Sequence, residues 1–289
     1  MDITLALGGG GIKGNAHIGV MRVLEREGFK VRAIAGTSAG GLWGSFFAAG
    51  FKPDEIEARI REIEYNGFYQ RHPGDLPALL GLSGVIQWLE QTIGDRTFEE
   101  LELPFAVTAV DIDKAQLLVL DSGRVADAVL ATIAVPGIFP PKKLNGRMLI
   151  DGGIADPVPV ALAQSLAPGL PVVAVVLSPI LKEWEGADKP RLFTSLPFLA
   201  SYVARFRIAQ AMNIFLRSID IAGVMMTEMR LKVDKPDVVI RPKLAQIGFL
   251  DDVDPVEIIR IGEAAANEAL PQLRKAVSWR GWLARKFSR

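Results

Sequence analysis

The sequence predicts an α/β fold in which parallel strands are joined by crossover helices. Three observations carry that expectation: two strand-helix units follow each other from the first residues, glycine-rich turns separate strand from helix in both, and short apolar runs recur later in the chain. Ile3 to Leu7 reads as a buried strand, Gly8 to Gly11 as its exit turn, and Asn15 to Glu27 as a helix with Ala16, Val20, Val23 and Leu24 on one face. Gly28 stops that helix. Val31 to Ala35 is the second strand, Ser38 opens the next helix, Gly50 closes it, and Pro53 begins a third. Strands separated by helices in this way pair in parallel, because each helix carries the chain back along the sheet.

Residues 66–84 are rich in glycine and proline (Gly67, Pro73, Gly74, Pro77, Gly81, Gly84), which suits either a surface segment flanking an active site or a plain connection. Phe105 to Val110 and Gln116 to Leu120 read as paired strands around a turn at Asp113-Lys114, with Asp111 and Asp113 as turn formers. Asn145-Gly146 between Lys142 to Leu144 and Arg147 to Ile150 is a strong hairpin signal. It places Asp151-Gly152-Gly153 at a strand exit, where the aspartate is presented at a sheet end. Val172 to Leu177 and Val238 to Ile240 supply two more strands. Between them, about Leu196 to Lys232 has the length of one or two helices and is apolar over most of its circumference. That segment either lines an acyl channel or completes the core.

With 289 residues, 49% of them apolar, the chain can bury a large core. Its 33 basic and 33 acidic side chains cancel, so no global field recruits nucleic acid. Without cysteine and with only His17 and His72, thiolate and histidine metal sites are not expected, and no cofactor is implied. His17 falls near the core-facing stripe of its helix and reads as structural, and His72 reads as part of a solvated loop. Met1-Asp2-Ile3-Thr4 lacks a basic leader and apolar core, which makes the cytoplasm the default compartment. Pro157 to Leu181 is uncharged and long enough to cross a bilayer, but its five prolines would break a spanning helix repeatedly.

Two motifs carry chemistry. Gly36-Thr37-Ser38-Ala39-Gly40 has the Gly-x-Ser-x-Gly form of a nucleophile elbow, in which small neighbours permit a tight strand-to-helix turn that exposes the serine hydroxyl. His17 precedes Ser38, and His72 precedes every plausible acid partner in the second half of the chain, so neither fits the Ser, acid, His order and a nucleophilic role demands a base other than imidazole. Gly9-Gly10-Gly11-Ile12-Lys13-Gly14 also satisfies a dinucleotide fingerprint, yet the acid needed for the ribose at the end of the second strand is replaced by Ala35-Gly36-Thr37. The same glycine turn at a helix N-terminus can instead stabilise an oxyanion.

These blocks carry a resemblance. Gly9 to Gly14 with Gly19, then Gly36 to Gly40, then Asp151-Gly152-Gly153, resemble the three signature blocks of the patatin-like phospholipase family. Ala16 to Val20, Ile133 to Pro141, Asp156 to Pro159 and Asp237 to Pro242 resemble bacterial members, and the similarity runs to about residue 270. It implies a three-layer α/β/α sandwich with a mainly parallel central sheet and a Ser-Asp dyad, with Ser38 as nucleophile and Asp151 as base. Gly9, Gly10 and Gly11 would form the oxyanion hole, supported by Gly14, Gly36, Gly40, Gly152 and Gly153, and no metal is implied. The substrate would be a lipid or other acyl ester, cleaved through an acyl-enzyme intermediate. The other class of function is a membrane-associated regulatory or scaffolding protein that keeps this fold with little turnover. Lys13 stands where the family often has arginine, and it would either anchor the loop or contact ligand.

The expected organisation is a catalytic domain over residues 1–270 and a tail over 271–289. Arg274, Lys275, Arg280, Arg285, Lys286 and Arg289 occur there without an acidic side chain, and Ala276, Trp279, Trp282, Leu283 and Phe287 share a helical side. Such a segment either contacts an anionic membrane peripherally or packs on the domain with its cations outward. Oligomeric state is not legible.

Overall fold

The computed structural model describes residues 1–62, 69–71, 74, 76–181, 203–279, 281, 283 and 285. Gly67, His72 and Pro73, residues 196–202, and Arg280, Trp282, Lys286, Phe287 and Arg289 lie outside the described residues.

One mixed sheet organises the chain. Its strands are β1 (Asp2–Leu7), β2 (Lys30–Gly36), β3 (Phe105–Asp111), β4 (Gln116–Leu120), β5 (Lys142–Leu144), β6 (Arg147–Asp151), β7 (Val172–Val175) and β8 (Val238–Ile240). The order is β5-β6-β3-β2-β1-β7-β8, with β4 also pairing β3. From β3 to β8 the neighbours are parallel, whereas β4, β5 and β6 form antiparallel pairs at one end. The hairpin turn follows from local chemistry: Asn145 and Gly146 both take positive φ, 50° and 73°, as a two-residue turn between twisted strands requires.

Alternation along the central strands divides the core into two layers. Ile3, Leu5, Leu7, Ile34, Val173 and Val175 pack on one face against α1 (Ala16–Arg26), α2 (Ala39–Ala48) and α8 (Pro255–Val277). Ala6, Ala35, Val172 and Ala174 face the other side, under α6 (Val160–Leu166) and Leu231 of α7 (Val203–Asp234). Helices α3 (Pro53–Arg61), α4 (Ser83–Thr92) and α5 (Val125–Thr132) complete the first layer. Gly19 and Gly262 let α1 and α8 touch backbone to backbone: a Cβ at Gly19 would meet the Ile259 carbonyl, and one at Gly262 the Ala16 carbonyl.

The long apolar segment is a single helix in its described part. Along α7, Ile214, Met225, Met229 and Val233 follow a solvent-facing stripe, while Val224 and Thr227 are buried inward. No helix among the described residues is long and apolar enough to cross a membrane. In the glycine- and proline-rich segment, Leu79 and Leu80 donate backbone hydrogen bonds to Gly137 and Ile138, and Gly84 falls inside α4. At the other end of the chain, Arg285 pairs with Asp237 at 3.3 Å and donates to the Ala276 carbonyl at 2.7 Å. Arg274 pairs with Glu27 at 2.9 Å, whereas Trp279 is 67% exposed.

Candidate active site

The first two strand exits create the site. Gly36 leaves β2, and Ser38 turns the chain with φ 55° and ψ −124°, a conformation that a residue with a side chain adopts only under constraint. Three hydrogen bonds supply the constraint: Thr37 N–H to the Leu7 carbonyl at 3.0 Å, Ser38 N–H to Thr132 Oγ1 at 2.9 Å, and Gly40 N–H to the Thr37 carbonyl at 2.9 Å. The flanking glycines are steric necessities. A Cβ at Gly36 would lie 2.6 Å from the Gly40 carbonyl oxygen, and one at Gly40 would run into the Leu7 carbonyl. The motif is therefore a true elbow, with Ser38 at its apex.

Asp151 arrives from the far side of β3. It ends β6 opposite Ala109, donates its N–H to the Ala134 carbonyl at 2.9 Å, and caps the one-turn 3-10 helix Gly152–Ile154 by accepting from Gly153 N–H at 2.7 Å. A Cβ at Gly152 would come within 2.6 Å of the Thr108 carbonyl, so only glycine lets this turn seat against β3. Ser38 and Asp151 are 4% and 5% exposed, and both line one cavity of about 310 Å³. Burial pushes the Asp151 carboxyl up to about 6, while the neighbouring Ser38 hydroxyl and the Gly153 N–H partly hold it down.

The glycine loop lies beside the elbow. A Cβ at Gly9 would sit 3.0 Å from that of Ser38, which explains the bare backbone there. The Gly9 amide itself is spent on the Pro157 carbonyl at 3.0 Å. The amides of Gly10 and Gly11 have no hydrogen-bond acceptor among the described residues, and they open the 3-10 turn Gly11–Asn15 that leads into α1. Gly11 takes φ 60°, and a Cβ there would meet Phe249. Gly14 is packed against Ala39, directly after the serine. Lys13 lines the same cavity as Ser38; burial lowers its pKa, and Asp220 and Asp251 oppose that shift.

Further side chains support the site. Thr37 Oγ1 bonds Thr108 Oγ1 at 2.7 Å and donates to the Asp156 carbonyl at 2.9 Å, which ties elbow, β3 and the turn after Asp151 together. Asp156 is buried, pushed up to about 6 by that burial, and paired with Arg230 of α7 at 3.2 Å. Phe249 closes the glycine loop by accepting from Ile12 N–H at 3.1 Å. Only Asp156 had a local signal, in Asp156-Pro157-Val158-Pro159; Thr132, Arg230 and Phe249 are brought in by tertiary structure. His17 is fully buried, its Nε2 donating to the Gly8 carbonyl at 2.8 Å, and burial lowers its pKa to about 4. It is a neutral structural group behind the glycine loop. Asp111 accepts from the N–H groups of Asp113 and Lys114 at 3.1 and 3.2 Å, as a turn former does. Among the described residues, no group of acidic or histidine side chains could hold a metal ion.

The model of the patatin-like phospholipase family matches residues 5–163. An uncharacterised NTE family protein of Mycobacterium tuberculosis is 32% identical over 55% of this chain and 44% of its own length. The lysophospholipase NTE1 of Yarrowia lipolytica is 25% identical over 94% of this chain and 20% of its own length. The chain thus spans less than half the length of these curated relatives. Among solved structures, VipD from Legionella pneumophila superposes with a TM-score of 0.58 at 13% identity, over 93% of this chain and 66% of that one, a likeness of fold.

Proposed function

The chain belongs to the patatin-like phospholipase family, and we propose that it is a serine lipid acyl hydrolase working through a Ser38-Asp151 dyad. The observation that carries the proposal is a strained, buried serine and a buried aspartate lining one cavity, with burial pushing the carboxyl up to about 6. An aspartate at its ordinary value is a weak base for an alcohol; burial raises its proton affinity, and transfer coupled to attack on the ester does the rest.

The chemistry follows from the geometry. Ser38 Oγ attacks the ester carbonyl while its proton passes to Asp151. The oxyanion that forms takes hydrogen bonds from the Gly10 and Gly11 amides, each such donor typically being worth about 3 to 4 kcal/mol in the transition state. Collapse breaks the ester C–O bond, and Asp151 returns the proton to the departing alcohol oxygen. Water then attacks the acyl-Ser38 carbonyl, Asp151 accepts its proton and passes it to Ser38 Oγ, and a fatty acid leaves. In this account Gly9 contributes close approach rather than a donor, since its amide is occupied.

A fluorophosphonate probe tests the nucleophile. Wild type is expected to label stoichiometrically and Ser38→Ala not at all, with phospholipid and acylglycerol turnover lost in parallel. Equal labelling of the two proteins would remove Ser38 from the mechanism.

Lipid substrates are presented at an interface, and we propose that the basic tail meets an anionic lipid surface there, with the exposed Trp279 as an anchor. Arg274 and Arg285, by contrast, hold the tail to the domain through Glu27 and Asp237. Removing residues 278–289 should weaken binding to phosphatidylglycerol vesicles. Unchanged binding would leave the tail a purely packed segment.

A further inference from the structure

Ser38 stands where two cavities meet. The larger, of about 310 Å³, also carries Asp151, Lys13, Arg217 and Asp220. The smaller, of about 90 Å³, carries Trp43, Trp88, Leu42, Val85 and Phe139, and Asp151 does not line it. Gly10 faces the first and Gly11 the second, so the glycine loop spans the junction.

That asymmetry assigns directions to a bound ester. The departing oxygen must receive its proton from Asp151, which places the alcohol portion on the side of the larger cavity. The oxyanion points to the glycine loop and Ser38 Oγ occupies the attacking position. One direction remains for the acyl chain. The larger cavity has apolar walls too, Ile138, Leu177 and Val224 among them, but hydrocarbon there would strip Lys13, Arg217 and Asp220 of water, whereas no charged side chain lines the smaller cavity among the described residues.

We infer that the cavity floored by Trp43 and Trp88 is the acyl-chain subsite, and that the larger cavity receives the polar alcohol portion of the substrate. The inference rests on the hydrolase reading. It deepens that reading by naming the residues that set chain length. The floor is rigid: Trp88 stacks on Phe46 with ring centroids 4.8 Å apart and meets Trp43 edge-on at 6.0 Å. At about 90 Å³ against about 310 Å³, the smaller cavity favours a shorter chain than the larger one would hold. On the other side, the Lys13 and Arg217 cations suit a phosphate, and Asp220 suits an ammonium group carried beyond it.

Hydrolysis of 4-nitrophenyl esters from butanoate to hexadecanoate, by wild type and three variants, decides the matter. Val85→Phe fills the proposed acyl cavity and should move the optimum to shorter chains, losing about fourfold in kcat/KM for each methylene no longer buried. Trp88→Ala opens the floor and should move the optimum to longer chains; Trp88→Leu does the same more gently should the alanine variant unfold. Ile219→Phe narrows the larger cavity and should leave the acyl optimum in place while reducing turnover of esters with bulky polar alcohols. An acyl optimum that shifts with Ile219→Phe, or stays fixed in the Val85 and Trp88 variants, would overturn the assignment and leave the hydrolase reading intact. Absence of turnover together with absence of fluorophosphonate labelling in wild type would overturn the hydrolase reading itself.

Discussion

Ser38 is held at φ 55°, which costs about 1 to 3 kcal/mol and persists because Thr132, Leu7 and the two flanking glycines leave the chain no other path. Asp151 carries a second cost. Its carboxyl is raised from 3.8 to about 6, so its contribution to stability is full below the unfolded value and is lost as pH rises through about 6. Holding the ionised form at neutral pH therefore costs on the order of 3 kcal/mol. The same shift sets the pH dependence of the chemistry: above about 6 the carboxylate can accept the Ser38 proton, and below it the protonated carboxyl cannot. Activity should accordingly rise through pH 6 and then level off. His17 moves the opposite way, to about 4, and stays neutral through that window, whereas Asp156 behind the elbow is also pushed up to about 6, so loss of the limb in Asp151→Asn is what assigns it to Asp151.

At the scale of elements, α7 is tied to the site by charge. Arg230 bridges Asp156 at 3.2 Å and Asp234 at 3.1 Å, and Asp156 in turn receives Thr37 behind the elbow. Replacing Arg230 with methionine would leave a buried carboxylate unpaired, and a loss of about 3 to 5 kcal/mol is expected in denaturant unfolding. An unchanged midpoint would show that the bridge does not hold the helix. The elements bearing the motifs were legible in the sequence because their causes are local. Glycine at 36, 40 and 152 marks places where a Cβ would strike backbone, and Asn145-Gly146 fixes its own turn. The role of α7 was not legible, since Arg230 meets Asp156 across 74 positions and nothing near either residue signals the other. Nor was Thr132 legible, a buried hydroxyl in an apolar helix that becomes meaningful only once β2 brings Ser38 to it. The amide of Gly9 shows the same limit: the motif marks the loop, but only the structure reveals that Pro157 occupies that donor.

Across the whole molecule, the site sits where the sheet changes direction. From β1 the chain builds outward through β2 and β3 on one side, and later through β7 and β8 on the other. Loops leaving the carboxyl ends of strands diverge at such a point and open a crevice, which here holds the glycine loop, the elbow and the start of α1. The antiparallel β3-β6 pair then delivers Asp151 to the same end of the sheet from the opposite strand direction. If Asp151 is the base for Ser38, the rate of fluorophosphonate labelling of Ser38 between pH 4 and 9 must differ between wild type and Asp151→Asn. The wild-type rate should climb through about pH 6, and the variant should be slower by about 10² to 10⁴ with no such limb. Matching rates and matching pH profiles in the two proteins would contradict that role of Asp151.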